Sequence, residues 1–431
     1  MNPQDSSKTP ETISGSHYLG LFQEHRKSIS FATILNFLSS YGQTFFISLV
    51  LPGMALASGV SLERAGGFYS VATILSATFL ALMGHYADRL SPKSYSLICT
   101  GVLITACFVA SFASNPISLF VALVLVRWAG QGLMPHASSV AVAKRFPSRP
   151  GAAYAITSLG FPIGEAAFPI ILTTLLLQYS ANQVWMGLGT MTLLCVLPVL
   201  VWSGRSYDDL RPTKKESSIT NPFASSKVWS DQRLWWLAPH IFSVPFCLTG
   251  FLFYQTYLLS ETGWTIWHWA TGLSAFAISR ALFSLGTGSW LSQRKALPYI
   301  AVIKAPMALG ALILAIPGIP AEGLLLFFFL SGASMGASTV VDKTALVELY
   351  GPEVIGRAKA AINAVAVLST AAAPPIYGWI ADRLDSQWTL IVLAGNAAVM
   401  IFCTLFTMAA IKPLKRLTPK NLQEQVQPKK D

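Results

Sequence analysis

Charge is what this chain has least of. Only 11% of its 431 residues are Asp, Glu, Lys or Arg, and acids are the scarcer kind, 19 against 30 bases. Soluble domains carry roughly 25% charged residues, so a water-soluble globule is excluded. Cysteine is sparse as well. Cys99, Cys107, Cys195, Cys247 and Cys403 stand singly in apolar runs, without a C-x-x-C spacing and in odd number. That excludes a disulfide framework and a thiolate metal centre, leaving free thiols buried among apolar neighbours. The polar N-terminal stretch has no apolar h-region and does not resemble a cleavable signal peptide. H-E-x-x-H, G-x-S-x-G and P-loop patterns are missing, so no cofactor and no metal are expected. No basic–aromatic cluster calls for nucleic acid.

What is present is apolar sequence in long runs: 53% of residues are hydrophobic and the mean hydropathy is +0.53. A spanning helix needs about 20 mostly apolar residues. Spans are expected near 29–57, 66–87, 94–114, 117–142, 150–178 and 183–203. A second set is expected near 234–259, 265–291, 297–316, 322–345, 355–380 and 388–411. The predicted fold is therefore all-α, with twelve transmembrane helices in two pseudo-symmetric six-helix bundles. Residues 1–28 form a cytosolic tail, 29–203 the first bundle, 204–233 a cytosolic linker, 234–411 the second bundle and 412–431 a cytosolic tail. Basic residues prefer the cytoplasmic side of a membrane. With the N-terminus inside, 24 of the 30 Lys and Arg fall at inner segments and only Arg64 and Arg383 at outer ones. Gaining or losing one span would scramble that asymmetry. The high net charge is then a basic cytoplasmic face, and the protein is expected in the cytoplasmic (inner) membrane with both termini cytosolic.

The two sets resemble each other. "HASSV" at His136 parallels "GASTV" at Gly336, an offset of 200; "EAAFPI" at Glu165 parallels "AAAPPI" at Ala371, an offset of 206. "GHYADRLSPK" from Gly84 has its counterpart in "GSWLSQRK" from Gly288, an offset of 204. Three matches in chain order at nearly constant offset indicate duplicated halves, the plan of many secondary transporters, with the solute site between them near midplane.

With twelve spans and a central linker, "GHYADRLSPK" resembles the loop signature G-x-x-x-D-R-x-x-[RK]-[RK] of the major facilitator superfamily. Gly84, Asp88 and Arg89 match, Lys93 takes the last basic position and Pro92 the other. The resemblance implies alternating access by rocking of the halves and a cytoplasmic gate at Gly84, Asp88, Arg89 and Lys93, with Arg89 bridging to a neighbour. Ser292 and Gln293 replace the Asp-Arg pair in the second half, where no matching latch is implied. "RWAGQG" from Arg127 resembles the family's fourth-span arginine motif, with Gly130 and Gln131 transposed. Together with "KRFPSRPGAAYAITSLGFPIGEAAFP" it resembles the branch of monocarboxylate and oxalate-type transporters.

Glu165 has no charged neighbour in sequence between Arg149 and Arg205. It stands 16 residues from Arg149, roughly 24 Å along a helix, and Arg127 stands 17 residues from Lys144 on the preceding span, about 25 Å. Equal depth on adjacent spans predicts an Arg127–Glu165 ion pair, either static or cycling a proton through Glu165. Arg280, about 21 Å from the same face, shows no carboxylate at its depth and is expected to meet an anionic solute or pair across the cavity. Tyr41, Gln43, Asn36 and Tyr254 are candidate cavity polar groups that could equally bond between helices. His136 is a candidate proton relay or a hydrogen-bonded core histidine. His240 and His268 are expected near span ends, Lys304 to snorkel outward, and Asp342 and Lys343 to serve a gate or interface. Gly160 and Gly164 form a small-xxx-small face for close helix approach.

The leading function is secondary transport, with proton-coupled uptake or exchange of a small organic anion by a monomer whose partners are solute, protons and lipid. A drug/proton antiporter is the alternative. Against it, "GFPIGEAAFP" departs from the G-x-x-x-G-P-x-x-G-G pattern of such antiporters at Pro162 and Glu165. A polytopic enzyme or a sensor ranks lower.

Overall fold

The computed structural model describes residues 15–83, 89–146, 150–210, 230–291, 294–384 and 388–417. Among these every regular element is helical. In the first half α1 is a bent pair, Arg26–Gly42 and Thr44–Ala57, with 41° between its parts. It is followed by α2 (Leu62–Met83), α3 (Pro92–Ser111), α4 (Pro116–Arg145), α5 (Ala153–Leu176) and α6 (Ala181–Tyr207). The second half holds α7 (Gln232–Phe253), α8 (Ile266–Leu291), α9 (Leu297–Leu314), α10 (Ala321–Tyr350), α11 (Ala361–Ala381) and α12 (Thr389–Arg416). Among the described residues nine of these are long and apolar enough to cross a membrane, and α1 makes a tenth. At 22 and 26 residues, α2 and α8 have the length to fill the second and eighth of the twelve expected positions.

Local sequence accounts for the helix starts. Asn115 and Ser118 form a reciprocal capping box with Pro116 at the first helical position of α4, and Ser180 with Gln183 does the same for α6. Ser91 caps α3 ahead of Pro92. These pairings satisfy amide groups that would otherwise be orphaned at a helix N-terminus.

Helical residues follow one another from Ala321 to Leu384, but the chain reverses direction between α10 and α11. Asp342 meets His240 and the Leu349 carbonyl meets Arg233, so α10 runs against α7. Ser369 meets Phe242 and the Pro374 carbonyl meets Tyr254, so α11 runs with it. The "HASSV" and "GASTV" segments lie in α4 and α10, the fourth span of each half, and "EAAFPI" and "AAAPPI" in α5 and α11, the fifth.

One face of the bundle carries the start of α1, the end of α6, the start of α7 and the end of α12. Tyr207, at the end of α6, donates to the Ser28 carbonyl at 3.0 Å, and Lys27 lies over the Trp202 ring. In the second half Leu414 packs with Leu234 and Leu291 at the corresponding end. We call this the linker face and its opposite the far face.

The halves meet through α5 on α8, α2 on α11 and the second part of α1 on α7. The apolar core is unevenly shared. A large cluster joins Phe46, Met54 and Tyr69 of the first half to Phe253, Leu258 and Tyr377 of the second. The linker-face end of the second half has its own cluster around Leu237, Leu297, Val341 and Leu414. The start of α1 has another, with Ile29, Val142 and Ala153. The halves are thus packed together toward the far face and carry separate cores toward the linker face.

The small-residue face of α5 is pressed onto α1: a Cβ on Gly160 would collide with the Thr33 carbonyl and the Phe37 amide. Overpacking against backbone that cannot yield costs about 1–3 kcal/mol. Gly160→Ala is therefore expected to lower the thermal unfolding midpoint in detergent. Gly101→Ala, whose Cβ would meet nothing within 4 Å, is expected to leave it unchanged.

Candidate functional site

Between the halves lies a cavity of about 280 Å³. The first half contributes Gln43 and Thr44 at the α1 bend, Gln131 on α4 and Glu165 on α5. The second half contributes Thr249 on α7, Arg280 on α8 and Thr370 on α11. The remaining wall is largely apolar, with Phe161, Leu248, Phe276 and Met335 among its residues. A mostly apolar pocket with a few convergent polar groups is the usual form of a small-molecule site.

Its one charged contact crosses the molecular interface. Arg280 Nη1 donates to Glu165 Oε1, closing an ion pair between α8 and α5. Both side chains are largely withdrawn from solvent, 23% and 14% exposed. Glu165 Oε2 is buried and has no partner among the described residues. The pair is thus held at one oxygen, leaving the other lone pairs unmet in a site where an unpaired charge would be costly.

This arrangement corrects the expected Arg127–Glu165 pair. Arg127 is fully buried and points into the first half. It donates from Nε to Thr73 Oγ1 at 3.1 Å and from Nη1 to the Gly42 carbonyl at 2.9 Å, and its guanidinium lies 4.6 Å from the Tyr69 ring centre. Equal depth along two helices does not set the direction in which each side chain leaves its axis. Residues 127–133 form a wider, π-type turn, a local departure that re-aims side chains and is frequent at functional sites. Glu165 looks the other way because α5 packs on α8.

The Arg127 bond to Gly42 fills a gap left by the bend in α1. Phe46 and Ile47 donate to the Gln43 carbonyl, which leaves that of Gly42 without its helical partner. The approach is close enough that Gly42 and Gly130 have no room for side chains. Arg127 reaches the cavity only indirectly: Tyr69, on which it stacks, shares a 2.8 Å hydrogen bond with cavity-lining Thr44.

Of the other candidates, only Gln43 lines the cavity. Tyr41 is corrected to a core position, with its hydroxyl 3.3 Å from Thr192 Oγ1 and its ring against Phe168 and Trp185. Asn36 takes the second of its two expected roles, a bond between helices, and not a place on the cavity wall. It donates to the Thr157 carbonyl at 2.8 Å, another carbonyl released by a helix break, since Phe161 donates to Ser158 instead. Tyr254 is buried toward the far face, donating to the Pro374 carbonyl at 2.9 Å. His136 Nδ1 lies 3.1 Å from the Tyr95 hydroxyl between α4 and α3, the core alternative, away from the cavity. Of the loop motif, Gly84 and Asp88 lie outside the described residues, as do Ser292 and Gln293. Arg89 is exposed, and Lys93 pairs with Asp208 at 2.8 Å, tying α3 to the segment after α6. Lys304 does not snorkel: it is buried with His240 and Asp342 in the second half.

A contact that the sequence reading missed closes the far face. Pro52 in α1 has no amide hydrogen, so the Ser48 carbonyl loses its helical donor. Gln255, from the second half, supplies one at 2.8 Å. The Tyr69 and Phe253 rings meet across the same seam at 5.1 Å. Pro52 was the available signal, but its partner lies 203 positions along the chain. One such hydrogen bond is worth about 1 kcal/mol, roughly fivefold in a two-state ratio. Gln255→Ala is expected to shift the protein by about that factor toward states separated at the far face, as read by spin-label distances between the ends of α1 and α7.

Comparison with known proteins places this architecture. The family described as Major Facilitator Superfamily matches residues 29–321. An uncharacterized MFS-type transporter of Mycobacterium tuberculosis (strain ATCC 25618 / H37Rv) is 21% identical over 385 residues, covering 86% of this chain and 81% of the relative. Among solved structures, a mutant of the nucleoside transporter NupG superposes with a TM-score of 0.71 at 15% identity, over 89% of this chain and 99% of that one. A bacterial homolog of the human lysosomal transporter Spinster, solved inward-facing and unoccupied, gives 0.68 at 13% identity, over 91% of this chain and 98% of that one.

Proposed function

Because the chain belongs to the Major Facilitator Superfamily, we propose that it moves a small organic anion across the membrane by alternating access, coupled to a proton carried at Glu165. The observation that carries this reading is the ion pair joining α5 to α8 inside the cavity. While Glu165 is ionised, Arg280 is neutralised and offers a solute little. A proton on Glu165 removes that competitor and leaves Arg280 as the one cation facing the cavity among its described lining residues. A carboxylate solute then takes the place of Glu165, and proton and anion load together. Charge-assisted hydrogen bonds of this kind are the strong ones in a dry site. A ligand shifts a conformational equilibrium only by its differential affinity for the two states. Exchange of Glu165 for solute at Arg280 supplies such a difference, because it breaks a tie between the halves and makes another.

The cavity size and its aromatic wall suit a small carboxylate with an apolar body, in keeping with the branch resemblance of α4 and α5. The basic linker face is assigned to the cytosol, with both termini there, in the cytoplasmic membrane, and one chain forms the transport unit. The separate cores at that face support access to the cavity from the cytosolic side.

Counterflow in proteoliposomes, across a panel of carboxylates, sugars, amino acids and cationic dyes, tests the assignment. Saturable carboxylate exchange is expected; extrusion of dye in its place would make the protein a drug/proton antiporter. Glu165→Gln is expected to retain exchange while losing uptake driven by a pH gradient at least about tenfold. Undiminished driven uptake in that variant removes the proton role. Arg280→Gln is expected to weaken carboxylate binding about 10- to 100-fold, the loss of one charge-assisted pair at about 1.5–3 kcal/mol.

A further inference from the structure

The second half holds a group of ionisable side chains that the Glu165–Arg280 pair does not use. His240 Nε2 lies 2.8 Å from Asp342 Oδ1, and Lys304 Nζ lies 3.9 Å from Asp342 Oδ2 and donates to Ser338 Oγ at 3.1 Å. Three spans, α7, α9 and α10, converge on one carboxylate. Ionisable groups within spans are costly, and they mark ion or proton pathways when they gather in this way.

The placement of the cluster relates it to the cavity. His240 precedes cavity-lining Val244 by four residues on α7, and Asp342 follows cavity-lining Met335 by seven on α10. Four and seven are spacings that keep one helix face. The cluster therefore continues both cavity walls toward the linker face, about two turns or 10 Å beyond Met335 on α10. Its two hydrogen-bonded members differ in access. The His240 side chain is 3% exposed and that of Asp342 is 33%. His240 Nδ1 is buried and has no partner among the described residues. With Nε2–H donated to Asp342, that nitrogen is a bare lone pair able to accept a proton, and the described residues place no acceptor beside it.

We propose that the His240–Asp342 pair is a second proton-binding site, loaded through Asp342 from the linker face and independent of Glu165. With Lys304 charged, Asp342 ionised and His240 neutral, the cluster has no net charge. One proton, shared between the Asp342 carboxylate and the His240 imidazole, makes it +1. The two groups titrate as a unit. The charges facing His240 are those of Asp342 on α10 and Lys304 on α9. Cys403 on α12 lies within electrostatic reach of Lys304, and α11 presents Ser369, whose hydroxyl is taken up by the Phe242 carbonyl. Lys304 anchors the carboxylate, so a proton arriving there enters a site whose charge balance it overturns. The inference does not rest on the nature of the solute.

The test needs no solute, because the probe is the proton. Infrared difference spectra of the full chain in lipid nanodiscs are recorded while pH is stepped from about 8 down to about 3, through the ordinary histidine range and into that of carboxylates. Two carboxyl signals and an imidazole signal are expected in the parent. Glu165→Gln removes one carboxyl signal and leaves the rest. Asp342→Asn removes the other, and His240→Gln removes the imidazole signal and displaces that of Asp342. Asp342→Glu retains the site but moves its carboxyl band, so the test survives if Asp342→Asn fails to fold. Spectra of Asp342→Glu and His240→Gln superimposable on the parent would overturn the second site. So would loss of the whole response in Glu165→Gln, an outcome that leaves the Glu165 proposal standing. Retention of every signal in Glu165→Gln would instead sink the Glu165 reading and leave this one intact.

Discussion

A carbonyl that leaves its helix within a hydrocarbon layer has no water to turn to, and each orphan costs several kcal/mol. Three breaks in the first half release such carbonyls, and each is met by a side chain from another span. Gly42 is met by Arg127, Thr157 by Asn36, and Ser48, freed by Pro52, by Gln255 of the opposite half. The bend of α1, the break in α5 and the seam at the far face persist because these donors are in place. The cavity owes its shape to them, since the α1 bend presents Gln43 and Thr44 and the segment of α5 after its break presents Glu165.

The same constraint separates two uses of charge. Arg127 is wholly enclosed, giving Nε to a hydroxyl, Nη1 to a carbonyl and its face to an aromatic ring, while Nη2 has no hydrogen-bond partner among the described residues. Glu165 and Arg280 meet across the interface, where their pair can open if the halves move or a solute intervenes. Both arrangements avoid an isolated ion in low dielectric. Only the second lies where a conformational change alters its partner, and so only it suits a cycle of binding and release. The His240–Asp342–Lys304 group lies within one half, so its contacts do not depend on how the two halves sit against each other.

The distribution of apolar contacts gives the present conformation its sense. A shared core toward the far face holds the halves together there, with Gln255 and Ser48 adding a neutral latch. Toward the linker face each half keeps its own cluster, so separation at that end exposes no common core. A latch of backbone carbonyl and amide side chain is weak enough to exchange during a cycle and directional enough to set one register.

Much of this was legible in the amino-acid order, because hydropathy, charge asymmetry and repeat offset are one-dimensional quantities. Apolar runs of span length and a central polar linker settle an all-helical membrane architecture in two related halves, and the lone Glu165 and Arg280 mark themselves as intramembrane charges. Helical rise even sets their depths. Which charges meet was not legible, because depth leaves the angle around each helix axis open, and that angle follows from packing between distant segments. Arg127 turned inward to Gly42 and Glu165 outward to Arg280 for that reason, Tyr41 and Asn36 left the expected cavity wall, and Lys304 joined a buried carboxylate. Sequence alone determined the spans, their likeness and the rarity of their charges. Tertiary structure alone chose the partners, since a released carbonyl or buried ion is satisfied by whichever donor the fold brings near.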